Sequence, residues 1–238
     1  MTPILEVKNL VKTFTMHILN GKKIDALHNV SFTVNEGEVV GLIGKSGSGK
    51  STLMKCIYRT YLSNSGEILF HSKDYGVVDL VKAEDHEVLF LRKNDINYCS
   101  QFLHVIPRVS AVDIVAGALI PKGVSWENAR VKAKEYLELL GLPKELWDAF
   151  PSTFSGGEQQ RINVARAIIA EPRFLVIDEP TSSLDPKTKD IVIDMVLKLK
   201  EKGTSVLCIS HDQYTLDRMC DRLISLKHGK VIEESIVV

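Results

Sequence analysis

A chain of 238 residues with 45% apolar and 25% charged side chains can bury a sizeable core and has an ordinary globular composition. Lysine plus arginine and aspartate plus glutamate both number 30, so a formal charge of zero gives no electrostatic argument for nucleic acid or an anionic membrane, and no nucleic-acid partner is expected. Cys56, Cys99, Cys208 and Cys220 form no CxxC pair and have no histidine at metal-ligand spacing, which predicts buried thiols in a reducing compartment. Met1 to Glu6 lacks a secretory pattern, and no apolar run approaches the ~18 residues that span a bilayer, so a cytoplasmic protein is expected.

In chain order, Ile4 to Val11 and Ile24 to Val34 alternate apolar and polar residues, as half-buried antiparallel strands do. Val39 to Ile43 is a continuous apolar run, suited to a strand covered on both faces. Glycines follow, then a helical stretch from Lys50 to about Thr60. Residues 66 to 100 read as short strands with a charged helical segment near Ala83 to Arg92, and Ser110 to Ala170 as mostly helical. Trp126 to Leu140 has helical apolar spacing closed by Gly141 and Pro143. Phe174 to Asp178 and Ser205 to Ser210 are further buried strands, flanking an amphipathic helix from Lys187 to Lys202 that Gly203 ends. Such alternation implies an α/β fold with a parallel sheet and ligand groups at the strands' carboxyl ends.

The glycines carry chemistry. Gly44-Lys45-Ser46-Gly47-Ser48-Gly49-Lys50-Ser51, followed by Thr52, fits G-x-x-x-x-G-K-[ST] between a predicted strand and helix. In such a loop the backbone N–H groups point inward at phosphate oxygens, and the helix N-terminus adds a positive dipole. Lys50 supplies a point charge for the β and γ phosphates, and the Ser51 hydroxyl is placed to ligate Mg²⁺. ATP and Mg²⁺ are therefore the expected ligands. Asp178 and Glu179 close a buried strand, and an acidic pair there is expected to sit beside the loop in a parallel sheet. There Asp178 can hold Mg²⁺ and Glu179 can polarise water as a general base. Taken alone the pair would read as solvated strand-end carboxylates. His211, after the third buried strand, is placed to contact a γ-phosphate and orient Glu179.

Phe154-Ser155-Gly156-Gly157-Glu158-Gln159-Gln160-Arg161 has no role inside a single phosphate-loop site. It resembles the signature sequence of ATP-binding-cassette (ABC) proteins, usually written LSGGQ. With the phosphate loop, Asp178-Glu179-Pro180-Thr181, Ser182-Ser183-Leu184-Asp185 and His211, it occurs in that family's order and spacing across essentially the whole chain. The resemblance implies a P-loop NTPase core with an N-terminal antiparallel β subdomain and an inserted α-helical subdomain. It divides a single 1–238 domain into a core of 1–101 and 171–238 and a helical part of 102–170.

The same resemblance implies roles. Gln101 matches the glutamine that senses metal and attacking water. Ser155, Gly156 and Gly157 match the turn that contacts the γ-phosphate held by a second cassette, and Asp185 the loop that crosses between protomers. His211 matches the switch histidine, and Phe14 the aromatic that stacks on adenine. Phe154 replaces the usual leucine, and the stretch Thr15 to Asp25 is longer than usual. Within the family, Ser100 to Ala111, Asp79 to Val81 and Leu146 to Arg161 resemble the cassette protein of the bacterial carbon–phosphorus lyase system. That likeness implies a partner in the lyase complex and a role in phosphonate breakdown. The alternative is the ATP-binding subunit of a membrane permease of lipoprotein-release or macrolide-export type. A non-hydrolysing ATP-dependent clamp is a third reading, and Glu179 and His211 argue against it.

Overall fold

The computed structural model describes residues 2–16 and 21–237. Two sheets organise it. The smaller is antiparallel, built from β1 (Pro3–Met16), β2 (Lys22–Asn35), β4 (Ser65–Ser72) and β5 (Gly76–Asp79) in the order β2-β1-β4-β5. In β1, Leu5 and Val7 turn inward while Glu6 and Lys8 turn outward, the period of two that the sequence alternation implied. Both strands run further toward each other than expected, and Met16 pairs with Lys22. Residues 17–20 of the long Thr15 to Asp25 stretch lie outside the described residues.

The larger sheet holds β3 (Val39–Ile43), β6 (Ile96–Cys99), β7 (Phe174–Asp178), β8 (Ser205–Ile209), β9 (Arg222–Lys227) and β10 (Lys230–Ile236), in the order β10-β9-β3-β8-β7-β6. Only the β9–β10 pairing is antiparallel. Strands β3, β7 and β8 are covered on both faces, which is why they read as unbroken apolar runs. Along β7, Leu175 and Ile177 enter one core and Phe174 and Val176 the other, all essentially without exposed surface. One core packs the sheet against helices, the other against the antiparallel sheet. Each such Val, Leu or Phe stabilises by about 1.5–3 kcal/mol relative to an exposed position. Gly41 in β3 has no room for a side chain, since a Cβ there would sit 2.6 Å from Leu223 and 3.0 Å from the Cys220 sulfur.

The helices are α1 (Lys50–Ile57), α2 (Asp85–Asn94), α3 (Ala111–Ala116), α4 (Trp126–Leu139), α5 (Gly156–Ile168), α6 (Pro186–Glu201) and α7 (Gln213–Met219). The first stops short of the expected Thr60. Arg59 adopts φ +64°, with its guanidinium donating to the Leu80 and Ala83 carbonyls at 2.5 and 3.3 Å. Trp147 is buried and its indole N–H donates to the Leu142 carbonyl at 3.0 Å, closing the turn after α4. Strand β8 stands between β3 and β7, so Asp178 and the phosphate loop are not on adjacent strands. They meet above the sheet, where Ser51 and Asp178 line one cleft.

Candidate functional site

Loop 44–51 leaves β3 and enters α1 with its glycines under real constraint. Gly44 has φ +147°, and a Cβ would meet the Leu226 carbonyl oxygen at 2.2 Å. Gly49 has φ +108°, and a Cβ would meet the Ala26 carbonyl oxygen at 2.7 Å. Any other residue at either position would be strained and would collide with backbone. The Gly229 N–H donates to the Ser48 carbonyl at 2.9 Å, so β9–β10 and β2 together clamp the loop. At Gly49 no side chain caps α1, and its first turn carries no acidic residue. The orphan N–H groups of that turn are left for a ligand. Lys50 folds over the loop, donating to the carbonyls of Gly44 at 2.6 Å and Lys45 at 3.3 Å. Burial lowers its pKa, and the carboxylates of Glu179 and Asp178 counteract this.

At the other side stand the two acids that end β7. Burial raises the pKa of Asp178, opposed by the Ser51 hydrogen bond and the charges of Lys55, Lys50 and His211. Burial also raises that of Glu179, opposed first by His211. Glu179 has φ +54°, a conformation that costs about 1–3 kcal/mol for a non-glycine residue and persists only where the surroundings enforce it. Here its N–H donates to the Ile209 carbonyl at 2.9 Å and its carbonyl accepts from the Gln160 side-chain amide at 3.1 Å. The Glu179 Oε1 atom is buried without a hydrogen bond, and His211 Nε2 lies 3.5 Å from it. A buried carboxylate with an unused oxygen and a raised pKa suits proton abstraction from water. The Ser51 hydroxyl and Asp178 carboxylate are hard oxygen donors of the kind Mg²⁺ takes. Among the described residues no group of three or more His, Cys, Asp or Glu clusters as a protein cage. The donor set thus fits an ion that arrives with substrate phosphates.

Phe14, Ser46 to Thr52, Gln101, Asp178, Glu179 and His211 line one cleft of about 440 Å³. The Phe14 ring meets Tyr61 edge-on at 5.2 Å, and the Lys12 ammonium lies 4.7 Å from its centroid. Ile24, Asp25, Ala26 and Ile209 line the same cleft and were not singled out from the sequence. The pairing of Phe14 with Ile24 across β1–β2 is the signal that would have found the three β2 residues, while Ile209 ends β8. Gly44 and Lys45 shape the loop from below, and their carbonyls hold Lys50.

Ser155, Gly156, Gly157 and Asp185 lie outside this cleft. Ser155 instead caps α5, in a reciprocal box in which its N–H and hydroxyl donate to Glu158 Oε2 at 2.7 and 2.8 Å. Asp185 caps α6, accepting from the Thr188 N–H at 3.0 Å and hydroxyl at 2.7 Å. Those hydrogen bonds hold its pKa down at about 2.

A glycine-rich loop between strand and helix, with acids at the end of a parallel strand in the same cleft, defines a P-loop nucleotide-binding protein. The chain belongs to the ABC transporter family, which it matches over residues 27–182, and it is an ABC-type ATPase. A shorter match, to an AAA domain family, covers residues 148–217. It is 36% identical over 234 residues to the lipoprotein-releasing system ATP-binding protein LolD of Hyphomonas neptunium, covering 98% of each chain. It is 35% identical over 238 residues to the methionine import ATP-binding protein MetN 1 of Bacillus cereus, covering 98% of this chain and 65% of that one. Among solved structures it resembles the dimeric post-hydrolysis state of the ATP-binding cassette MJ0796 bound to ADP and Pi, with a TM-score of 0.88, 32% identity, and coverage of 98% and 99% of the two chains. These relatives correct one expectation. The strings around Gln101 and Trp147 do not carry the chain into phosphonate breakdown, because proteins matching it over nearly its whole length are transporter subunits.

Proposed function

We propose that this chain is the ATP-binding subunit of a membrane transporter, acting as a pair of cassettes at the cytoplasmic face of a permease. The observation that carries the pairing is the position of Ser155-Gly156-Gly157. This turn is a helix N-terminus suited to an anion, yet it lies outside the chain's own cleft. A second copy, or a related cassette, would bring it to the phosphates held by Lys50. The dimeric structures of MJ0796 support that arrangement. The likeness to LolD and MetN, and the absence of any described helix long and apolar enough to cross a membrane, support a separate permease partner.

In this reading residues 1–101 and 171–238 form the nucleotide-binding core and 102–170 a helical part that meets the permease. Ser46 to Thr52 cradle the triphosphate, Phe14 stacks on the base, and Glu179 takes a proton from the attacking water while His211 orients it. Ser51, Asp178 and Gln101 would hold Mg²⁺, whose chemistry is to neutralise charge on the phosphate oxygens. ATP-driven closure and reopening of the pair then moves the permease.

The test is Glu179→Gln. General-base removal lowers turnover by roughly 10²–10⁴-fold. With Mg-ATP the variant should elute from gel filtration as a dimer, and without nucleotide as a monomer. Wild-type phosphate release by the variant would remove Glu179 from the assigned role. Purification from membranes of its source should recover an integral membrane protein; recovery of a soluble lyase complex alone would reverse the choice of partner.

A further inference from the structure

Resting on the paired-cassette reading, we propose that Arg161 is a positioning residue: it locks the loop 182–185 to the Ser155–Gly157 turn of the same protomer, so that both meet the second cassette as one rigid surface. Arg161 stands in α5, a turn and a half after Gly156. Its guanidinium donates to the Gly141 carbonyl at 2.7 Å and to Asp185 Oδ2 at 2.9 Å, joining the end of α4, the body of α5 and the cap of α6. The same two segments touch a second time, because a Cβ on Gly157 would lie 2.9 Å from the Ser183 carbonyl oxygen. A third tie is the buried Gln160 amide, one residue earlier, which holds the Glu179 carbonyl.

Stability is not what the ion pair supplies. The Arg161 and Asp185 side chains are 20% and 48% exposed, and pairs of that kind contribute little to folding. What the fork does supply is direction, since a planar guanidinium fixes two acceptors at once as a lysine cannot. Without it Asp185 keeps its bonds to Thr188, so α6 stays capped, but the loop before it is no longer tied to α5. The turn and the loop would then have to be ordered separately when two cassettes close, and ordering opposes association. Arg161 and its two acceptors, Gly141 and Asp185, do not line the ATP cleft. Nucleotide affinity of the monomer and assembly of the pair should therefore separate.

The experiment uses the full chain carrying Glu179→Gln, with dimer dissociation in Mg-ATP measured by analytical ultracentrifugation and monomer affinity by titration with a fluorescent ATP analogue. Adding Arg161→Ala should weaken the dimer by about tenfold or more, and Arg161→Lys by less. Monomer affinity should stay within about twofold, since the loop's own contacts are untouched. An undiminished dimer, or monomer affinity falling in parallel, overturns the proposal. A Glu179→Gln parent that stays monomeric in Mg-ATP refutes the paired reading itself, a distinct result. Should Arg161→Ala melt early, the Arg161→Lys chain decides by the same comparison, because it keeps the charge and loses only the fork.

Discussion

The N-termini of α1 and α5 are both glycine-containing helix starts, and they are finished differently. Gly49 gives α1 no side-chain cap and no acid follows in its first turn, so its N–H groups are left open to a ligand in the same chain. Ser155 and Glu158 give α5 a complete capping box, and its turn lies outside the cleft that Lys50 lines. The first start is incomplete without a ligand. The second is satisfied alone, and in the paired reading proposed above it would exchange partners to hold a phosphate. Binding a nucleotide and assembling around it are therefore separable properties of one chain.

Substitutions at the two starts should break that separation in opposite ways. The largest effect is expected from Lys50→Ala, which removes a charge-assisted contact worth about 1.5–3 kcal/mol and should cost ATP affinity of the monomer by about 10–100-fold in calorimetry. Gly157→Ala should leave that affinity alone. Its new Cβ meets the Ser183 carbonyl at 2.9 Å, so the turn or the loop must shift. In a Glu179→Gln background it should weaken the Mg-ATP dimer by about tenfold on ultracentrifugation, the equivalent of 1.4 kcal/mol. A fall in monomer affinity with Gly157→Ala would show that the two starts are coupled.

Local and distant constraints divide in the same way what the sequence makes legible. The phosphate loop is legible because every constraint on it is local: strand, glycines, Lys50 and Ser51 are consecutive. Strands β3, β7 and β8 are legible because burial on both faces leaves an unbroken apolar run. What escapes depends on contacts distant in sequence. Strand order puts β8 between β3 and β7, which no local pattern states. The part of the cleft lined by Ile24, Asp25 and Ala26 depends on β2 packing against α1. The strings around Gln101 and Trp147 pointed toward a partner, although Trp147 serves the core and caps a turn.

A smaller effect should come from pH. Burial places the carboxyls of Asp178 and Glu179 above their ordinary values of 3.8 and 4.5. Between the ordinary and raised values the folded chain holds more protons than the unfolded one, so stability declines as pH rises through that window. Glu179→Gln removes the charge that burial opposes. The nucleotide-free variant should therefore melt a few degrees above wild type at neutral pH, and the difference should close as the pH falls to the ordinary carboxylate range. The acid limb of turnover should likewise lie above that range, because the base must be ionised to act. Equal melting temperatures across the whole series would mean that burial does not disfavour the Glu179 charge.

The smallest expected effect sharpens the comparison most. Glu158 places a carboxylate at the helix start to which the paired reading assigns a phosphate, and its Oε2 holds both the N–H and the hydroxyl of Ser155. Charge at a helix N-terminus is worth about 0.3–1 kcal/mol, so an anion arriving from another cassette meets a site already partly satisfied and like in sign. Glutamine retains the reciprocal box without the charge. Glu158→Gln, again with Glu179→Gln, should tighten the Mg-ATP dimer by about two- to fivefold and leave monomer affinity unchanged. The gain should shrink as salt is raised, because the penalty it removes is electrostatic. A weaker dimer would mean that the carboxylate itself contacts the partner, and α5 would then present a charged group to the second cassette where α1 presents bare amides to its own ligand.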